Sequence, residues 1–561
     1  MKRRFLAMLL ALAMLCPMIL AGCSSTGDDT DDAESQSTTT RTPVSINMWI
    51  VTDKNTTPEA QAAVEEEFNR ITKSTYTTNV DLVFVSPEEY VTKLNEKIAL
   101  VQEAQNNKNN NASVTDTSEV TDEYVTNEYG VSELKYPEIL DSQLDIVYIE
   151  GFDQLYDLAT AGHLLNLNEH IAPTGKAKVL TDVIPSQLFT YTKIDKATYG
   201  IPNNRVVGNY TYLLVKKDVV TGDANGDGVV SNDEISGSYY NFSDIATFFD
   251  CEKVIEYVKS NRTDLVPVLE SFDNPYIHYW SEDGSFSVLG SKKSFVSQAS
   301  DFNTQYYFNN IFSVPEFVNF ELMMKKFDNN GYFATDAAAS AESQNFAVAV
   351  MTGDSAILDK YSDNYYIKVI ANPTVTDDNL FTSFYGISSY CKDVTRALEI
   401  ITMINTNSEL RNVLQYGVEG VHYELDDDNR VVRLQQSYIM DLEKTGNVFI
   451  AYPEEDMADD VWERGVKTNL DITVSPLTGL WANWLTVDTL AIEDLAAYSA
   501  TIKERMDQCN TVEELQAFFD EAKAEVPTNP AYVSYTNTDA ENSPKSIYLA
   551  WFQKLWPSGD I

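Results

Sequence analysis

A chain of 561 residues with 85 Asp and Glu against 40 Lys and Arg carries a formal net charge of −45. That excess of acid argues against nucleic acid and anionic membrane faces as partners, because phosphates are bound by side-chain cations that release counterions. The length allows two or more domains and 43% hydrophobic content allows a large core, while Cys251, Cys391 and Cys509, an odd number beyond the first 23 residues, imply no disulfide framework.

The chain opens with Lys2, Arg3 and Arg4 ahead of an apolar run from Phe5 to Leu20 that is too short to span a bilayer comfortably. Residues 1–22 therefore read as an export signal. Leu20-Ala21-Gly22-Cys23 resembles the lipobox of bacterial lipoproteins, which implies cleavage before Cys23, a diacylglycerol on its sulfur, and a protein held on the outer face of the cell membrane through that lipid alone. Residues 23–43 are polar and acidic, cannot bury a core, and read as a disordered tether.

Val44, Ile46, Met48 and Ile50 then alternate as a half-buried strand, and Thr57-Pro58 supplies a cap and a first-turn proline for a helix with Ala60, Val64, Phe68 and Ile71 on one face. The unit repeats. Val80, Leu82 and Phe84 form a strand, Ser86-Pro87-Glu88-Glu89 is a capping box, and Tyr90, Leu94, Ile98 and Val101 make the next helical stripe. Such alternation predicts an α/β fold with a mainly parallel sheet flanked by helices. Residues 103–133 turn polar and read as a surface insertion. The pattern resumes with a short apolar strand, Asp145-Ile146-Val147-Tyr148-Ile149, and a helix from about Phe152 to Ala161 that Gly162 ends in a left-handed cap.

Asp223-Ala224-Asn225-Gly226-Asp227-Gly228-Val229-Val230-Ser231-Asn232-Asp233-Glu234 fits the twelve-residue EF-hand loop at each diagnostic position. Oxygen ligands to Ca2+ would come from Asp223, Asn225, Asp227, the backbone of Val229, Ser231 through water and a bidentate Glu234, with Gly228 at the sharp turn. Tyr210 to Val215 before it reads as a strand and no second loop pairs with it, so the expectation is a structural calcium clip and not a sensor.

No motif supports catalysis. There is no zinc-binding HExxH, no GxSxG elbow, no Walker A loop and no GxGxxG after a strand, and among 85 acids a suitably spaced carboxylate pair carries no information. Of the four histidines, His163 and His422 are expected to cap or pack. Thr511-Val512-Glu513-Glu514 is a capping box that opens a helix with Leu515, Phe518, Phe519 and Ala522 on one face, and Ala550-Trp551-Phe552 with Leu555-Trp556 reads as a final amphipathic helix.

A resemblance runs through these elements. Asp145-Ile146-Val147-Tyr148, the segment Leu155 to Leu167 ending in Ala161-Gly162-His163-Leu164-Leu165-Asn166-Leu167, and Tyr199-Gly200-Ile201-Pro202-Asn203-Asn204 resemble the extracellular solute-binding proteins, family 1, of ABC transporters. Tyr385-Gly386-Ile387-Ser388, Tyr416-Gly417-Val418-Glu419-Gly420-Val421-His422-Tyr423 and Asn447-Val448-Phe449-Ile450-Ala451-Tyr452-Pro453 continue the likeness, which is nearest to the lipoprotein branch with its extended helical C-terminal region. The resemblance implies a two-lobed, periplasmic-binding-protein-like fold of type II, with lobe 1 at 44–205 and 373–415 and lobe 2 at 206–372 and 416–561. Crossings fall near Tyr199 to Arg205 and Ile367 to Pro373, and the helical C-terminal region packs on the second lobe.

It also implies a receptor that does no chemistry, closes on a solute by a population shift and delivers it to ABC permease subunits. With 7 Trp, 32 Tyr and 25 Phe, whose faces stack on sugar rings, the composition suits a sugar oligomer. A peptide or other polar solute, a surface adhesion or sensory protein, and a secreted glycoside-active lipoprotein are the alternatives. Residues at strand ends and crossings are the candidate ligand contacts: Trp49 and Asp53, Glu150, Asn203 and Arg205, then Trp280, Tyr385 and Trp481, with Tyr279 and Trp484 behind them.

Overall fold

Strand β1 (Val44–Val51) leads into a helix, Pro58–Tyr76, whose first turn is held by a hydrogen bond from the Ala60 amide to Thr57 Oγ1. The helix buries Ala60, Val64, Phe68 and Ile71, the face the spacing predicts, and stops at Thr77 in the left-handed region. β2 (Thr78–Val85) returns parallel to β1, in register from Val44 opposite Thr78 to Val51 opposite Val85. In the computed structural model of the chain the residues described are 41–110, 124–126, 132–220, 240–274, 277–280, 287–292, 307–474, 478–480 and 486–555.

The next helix, Pro87–Asn110, runs eight residues into the stretch expected as an insertion from residue 103. Gln102, Gln105, Asn106 and Asn107 are exposed, and without Gly or Pro a polar run is not a stop signal. A small antiparallel pair, β3 (Tyr124–Thr126) and β4 (Ser132–Leu134), follows. β5 (Ile146–Ile149) is wholly buried beside β1, and its helix, Phe152–Thr160, is followed by Gly162 at φ 75°.

β6 (Gly200–Pro202) ends the first pass through one lobe, and β7 (Tyr210–Lys216) begins the other. There follow helix Glu252–Asn261, β8 (Val266–Val268), an antiparallel triplet of β9 (Ile277–Trp280), β10 (Ser287–Lys292) and β11 (Tyr307–Asn310), helix Pro315–Asn329, helix Ala337–Ser343, β12 (Phe346–Gly353), helix Ala356–Tyr361 and β13 (Tyr365–Ala371). The chain returns through β14 (Thr374–Val375) and helix Asp377–Leu380 to β15 (Phe384–Ile387), then helices Val394–Thr406 and Ser408–Tyr416 and the hairpin of β16 (Tyr423–Leu425) and β17 (Val431–Arg433). Helix Val461–Leu470, β18 (Thr473–Val474) and four C-terminal helices, Thr489–Asp507, Val512–Glu525, Pro530–Tyr535 and Pro544–Leu555, complete it.

Two sheets organise two lobes: β2-β1-β5-β15-β6 in the first and β13-β7-β12-β8 in the second. The two-lobed α/β fold is as expected, but the pairing is less parallel. β15 is antiparallel to β5 and β6, and both β12 and β13 are antiparallel to β7. The reversals fall on β15 and β7, the strands that arrive from the other lobe, and each lies inside its sheet, between β5 and β6 and between β13 and β12. Period-two alternation along β7 serves both faces of the second sheet, with Leu213 and Val215 in one core and Tyr212 and Leu214 in the other.

Residues 416–450, expected in the second lobe, pack with the first. Tyr438 and Met440 are buried in its core, and the amides of Asp53 and Thr57 donate to the carbonyls of Ile439 and Ser437. The chain therefore crosses a third time, through helix Val461–Leu470 and β18, which pairs with β14. Helix Val512–Glu525 of the C-terminal region lies against the second lobe: Phe518 and Phe519 pack edge-on or tilted against Phe312 and Phe317, at the start of a helix whose Phe320 and Phe327 belong to the core beneath the second sheet. The Thr511 capping box forms as read. Cys251 is buried, Cys391 and Cys509 are partly buried, and all three are free.

Candidate functional site

The three crossings converge on a cavity of about 420 Å³ lined by Arg205, Asp354, Asn379, Thr382, Glu443 and Trp462, side chains drawn from both lobes and from the connecting segments. Arg205 is 2% exposed. Its Nη2 donates to the Asn379 carbonyl, its Nε lies 3.6 Å from Glu443 Oε2, and its Nη1 has no partner among the described residues. Thr382 Oγ1 is likewise buried without one. A buried donor left unsatisfied costs about 1–3 kcal/mol, more when charged, so both atoms point to a guest that supplies acceptors.

Burial lowers the Arg205 pKa, against the opposing pull of Glu443. Glu443, about half exposed by area, sits hemmed in at the cavity wall, and the loss of water there raises its pKa despite Arg205.

Two further contacts fix the crossing backbone. Asn469 Nδ2 donates to the Arg205 carbonyl at 2.7 Å while its Oδ1 accepts from the Val207 amide at 3.0 Å. Asn203 Nδ2 donates to Ser383 Oγ at 2.8 Å, and that hydroxyl donates to the Glu443 carbonyl at 2.8 Å.

The loop carrying Glu443 and Lys444 is held from below. Arg411 Nη2 donates to the Leu442 carbonyl at 2.9 Å, Gln415 Nε2 to the Met440 carbonyl at 2.7 Å, and the Tyr385 hydroxyl to the Lys444 carbonyl at 2.7 Å. Arg411 is fully buried, which lowers its pKa to about 10. Lys444 reaches across to Glu150 Oε2 at 2.8 Å, so Glu150, just past the end of β5, is tied to this loop, though neither residue lines the cavity.

The other sequence candidates lie elsewhere. Trp49 is 8% exposed within the first core, and Tyr385 is 1% exposed, a support for the 442–445 loop; neither lines the cavity. Asp53 closes a turn after β1, its Oδ1 accepting from the amide and the side chain of Asn55. Trp280 is in β9, opposite Leu289, next to Tyr279. Trp481 and Trp484, the calcium-loop residues 223–234 and Cys23 lie outside the described residues. His163 shares a hydrogen bond with the Tyr390 hydroxyl, and His422 Nδ1 accepts from the Val418 amide. Trp462, Glu443, Asn379, Thr382 and Asp354 were not singled out in the sequence, and no local pattern marks them; they come together only through the third crossing and the loop it returns from.

A second cavity, of about 860 Å³, opens at the C-terminal ends of β8 and β12, which run parallel. Leu269, Phe272, Asp273, Ile357 and Lys360 line it, and Asp354 is common to both cavities. Open α/β sheets place ligands at such strand ends.

No family model matches the chain. A carbohydrate ABC transporter substrate-binding protein of Streptococcus pneumoniae serotype 4 is 25% identical over 310 residues, which cover 52% of this chain and 60% of that protein. The match thus spans less than two thirds of the relative's length. Among solved structures, the N-glycan transport solute binding protein of Streptococcus pneumoniae superposes with a TM-score of 0.55 at 18% identity, over 92% of this chain and 100% of that one. An extracellular solute-binding protein family 1 structure from Alicyclobacillus acidocaldarius subsp. acidocaldarius DSM 446 has a TM-score of 0.42 at 12% identity, over 86% of this chain and 98% of that one. The first superposition shows the two-lobed solute-binding-protein fold, in agreement with the resemblance carried by the motifs.

Proposed function

We propose that this chain is the solute receptor of an ABC importer, which captures a sugar oligomer between its lobes, releases it unchanged to the permease, and is held outside the cell by a lipid on Cys23. The observation that carries the reading is the buried Arg205 side chain, whose Nη1 has no partner among the described residues, lining a cavity walled by both lobes. A guest that contacts both walls stabilises the closed arrangement over the open one by its differential affinity, and that is all a receptor of this kind requires. Trp462 offers an aromatic wall for a sugar ring; its Nε1 is already committed to the Ala451 carbonyl, which fixes the ring plane. The fold and the partial match to a carbohydrate-transport relative support the same conclusion.

Small-angle scattering of the purified chain tests it. A bound sugar oligomer should shrink the particle, and Arg205→Gln should abolish the shrinkage. Dimensions that ignore every sugar, or that respond to peptides alone, count against the reading, as does hydrolysis of the oligomer.

A bound Ca2+ in the 223–234 loop belongs to the same proposal and rests on its sequence. The described flanks are a strand, β7, before it and a short 3₁₀ turn, Phe242–Asp244, after it, so the frame is not the helix pair of a sensor. Metal analysis and calcium titration of Asp223→Ala against the parent should show lost calcium and a lower melting temperature; identical behaviour would remove calcium from the account.

A further inference from the structure

Each of the two cavities has by itself the volume of a complete small-molecule site, which is about 300–1,000 Å³. They are not independent, because Asp354 lines both. A solute of one ring would occupy one and leave the other empty. We infer that the solute is a neutral oligomer long enough to run from Arg205 past Asp354 to Phe272, with one end unit seated against Arg205 and Thr382. This rests on the receptor reading above and adds the length, the direction and the charge class of the guest.

Direction follows from where the unused hydrogen-bonding capacity lies. Arg205 and Thr382 line the smaller cavity, and each carries a buried polar atom, Nη1 and Oγ1, without a partner among the described residues. An end unit, with more free hydroxyls than a mid-chain unit, offers more oxygens to these two side chains. The larger cavity is of different character. Phe272 is held edge-on to Phe248 at 4.6 Å and to Phe320 at 5.7 Å between ring centroids, so it presents a fixed apolar surface. Glu270, Asp273, Asp354 and Lys360 surround it with groups suited to hydroxyls.

Charge follows from the same residues. Three carboxylates against one ammonium in the larger cavity, and Glu443 already beside Arg205 in the smaller, oppose an acidic sugar. The overall charge of −45 repels anions at longer range as well.

The test is calorimetric titration of the purified chain with glucose, galactose, mannose and N-acetylglucosamine and with their linear oligomers from dimer to pentamer, alongside galacturonate oligomers. For the sugar that binds, Kd should fall by about tenfold or more from monomer to the longer oligomers. Ala338→Trp, placed on an exposed face of helix Ala337–Ser343 and filling the larger cavity, should abolish that fall. Lys360→Trp fills the same space from the opposite wall and serves where the first variant melts early. Equal affinity for monomer and oligomer, a length dependence that survives filling of the cavity, or preference for the galacturonate series overturns the inference and leaves the receptor reading standing. Binding of none of these sugars overturns both.

Discussion

Asn469 ties the third crossing to the first, and its removal tests whether the hinge is built as described. It is 5% exposed, and its amide satisfies two backbone groups, the Arg205 carbonyl and the Val207 amide, on either side of Val206. Asn469→Ala leaves both groups buried. Each orphaned group costs about 1–3 kcal/mol, so the full penalty is about 2–6 kcal/mol. Water entering the vacated space recovers part of it, which places the expected loss near 2–4 kcal/mol, a large share of the 5–15 kcal/mol typical of a folded domain. Urea unfolding followed by circular dichroism should show the midpoint falling at unchanged slope. Solute affinity should fall with it, because the freed segment carries Arg205. A loss below about 1 kcal/mol with unchanged affinity would refute the reasoning, since it would mean that solvent already serves the crossing backbone.

Three further outcomes are expected. Burial and the nearby Asp273 raise the Glu321 pKa from 4.5 to about 7, so the folded state keeps that proton across the interval and stability falls as pH rises through it; the melting temperature of Glu321→Gln should gain on the parent between pH 5 and 8. Gly465→Ala pits two effects against each other, a gain of about 1 kcal/mol in helix propensity against overpacking of about 1–3 kcal/mol, because the new Cβ would lie 2.7 Å from Val206 Cγ2 and 2.9 Å from Phe449 Cε1. Val206 and the Phe449 ring have little freedom, so chemical denaturation should show net destabilisation; a more stable variant would mean that the helix shifts at no cost. Tyr385→Phe deprives the Lys444 carbonyl of its donor and should cost about 1 kcal/mol in unfolding free energy, with solute contacts untouched; a large loss of affinity at unchanged stability would place Tyr385 in the site after all.

Local patterns in the sequence were enough for the units of the first lobe. The Thr57-Pro58 cap, the Ala60 to Ile71 stripe and the apolar run Ile146–Ile149 act through neighbours in the chain, and each became the element its spacing predicts. Asn203 and Arg205 could be named because the family resemblance puts the first crossing there; the sequence itself shows only a short apolar strand ending in Pro202. Tertiary structure alone decided which aromatics face solvent at the cleft and which fill the core, because Trp49 and Tyr385 differ from Trp462 in what packs over them and not in their local sequence. It also decided that residues 416–450 return to the first lobe, since Tyr438 and Met440 find their core partners in helices and strands far away in the chain. A third crossing has no local signature: a loop is directed by contacts at its two ends, and those contacts exist only once both lobes have formed.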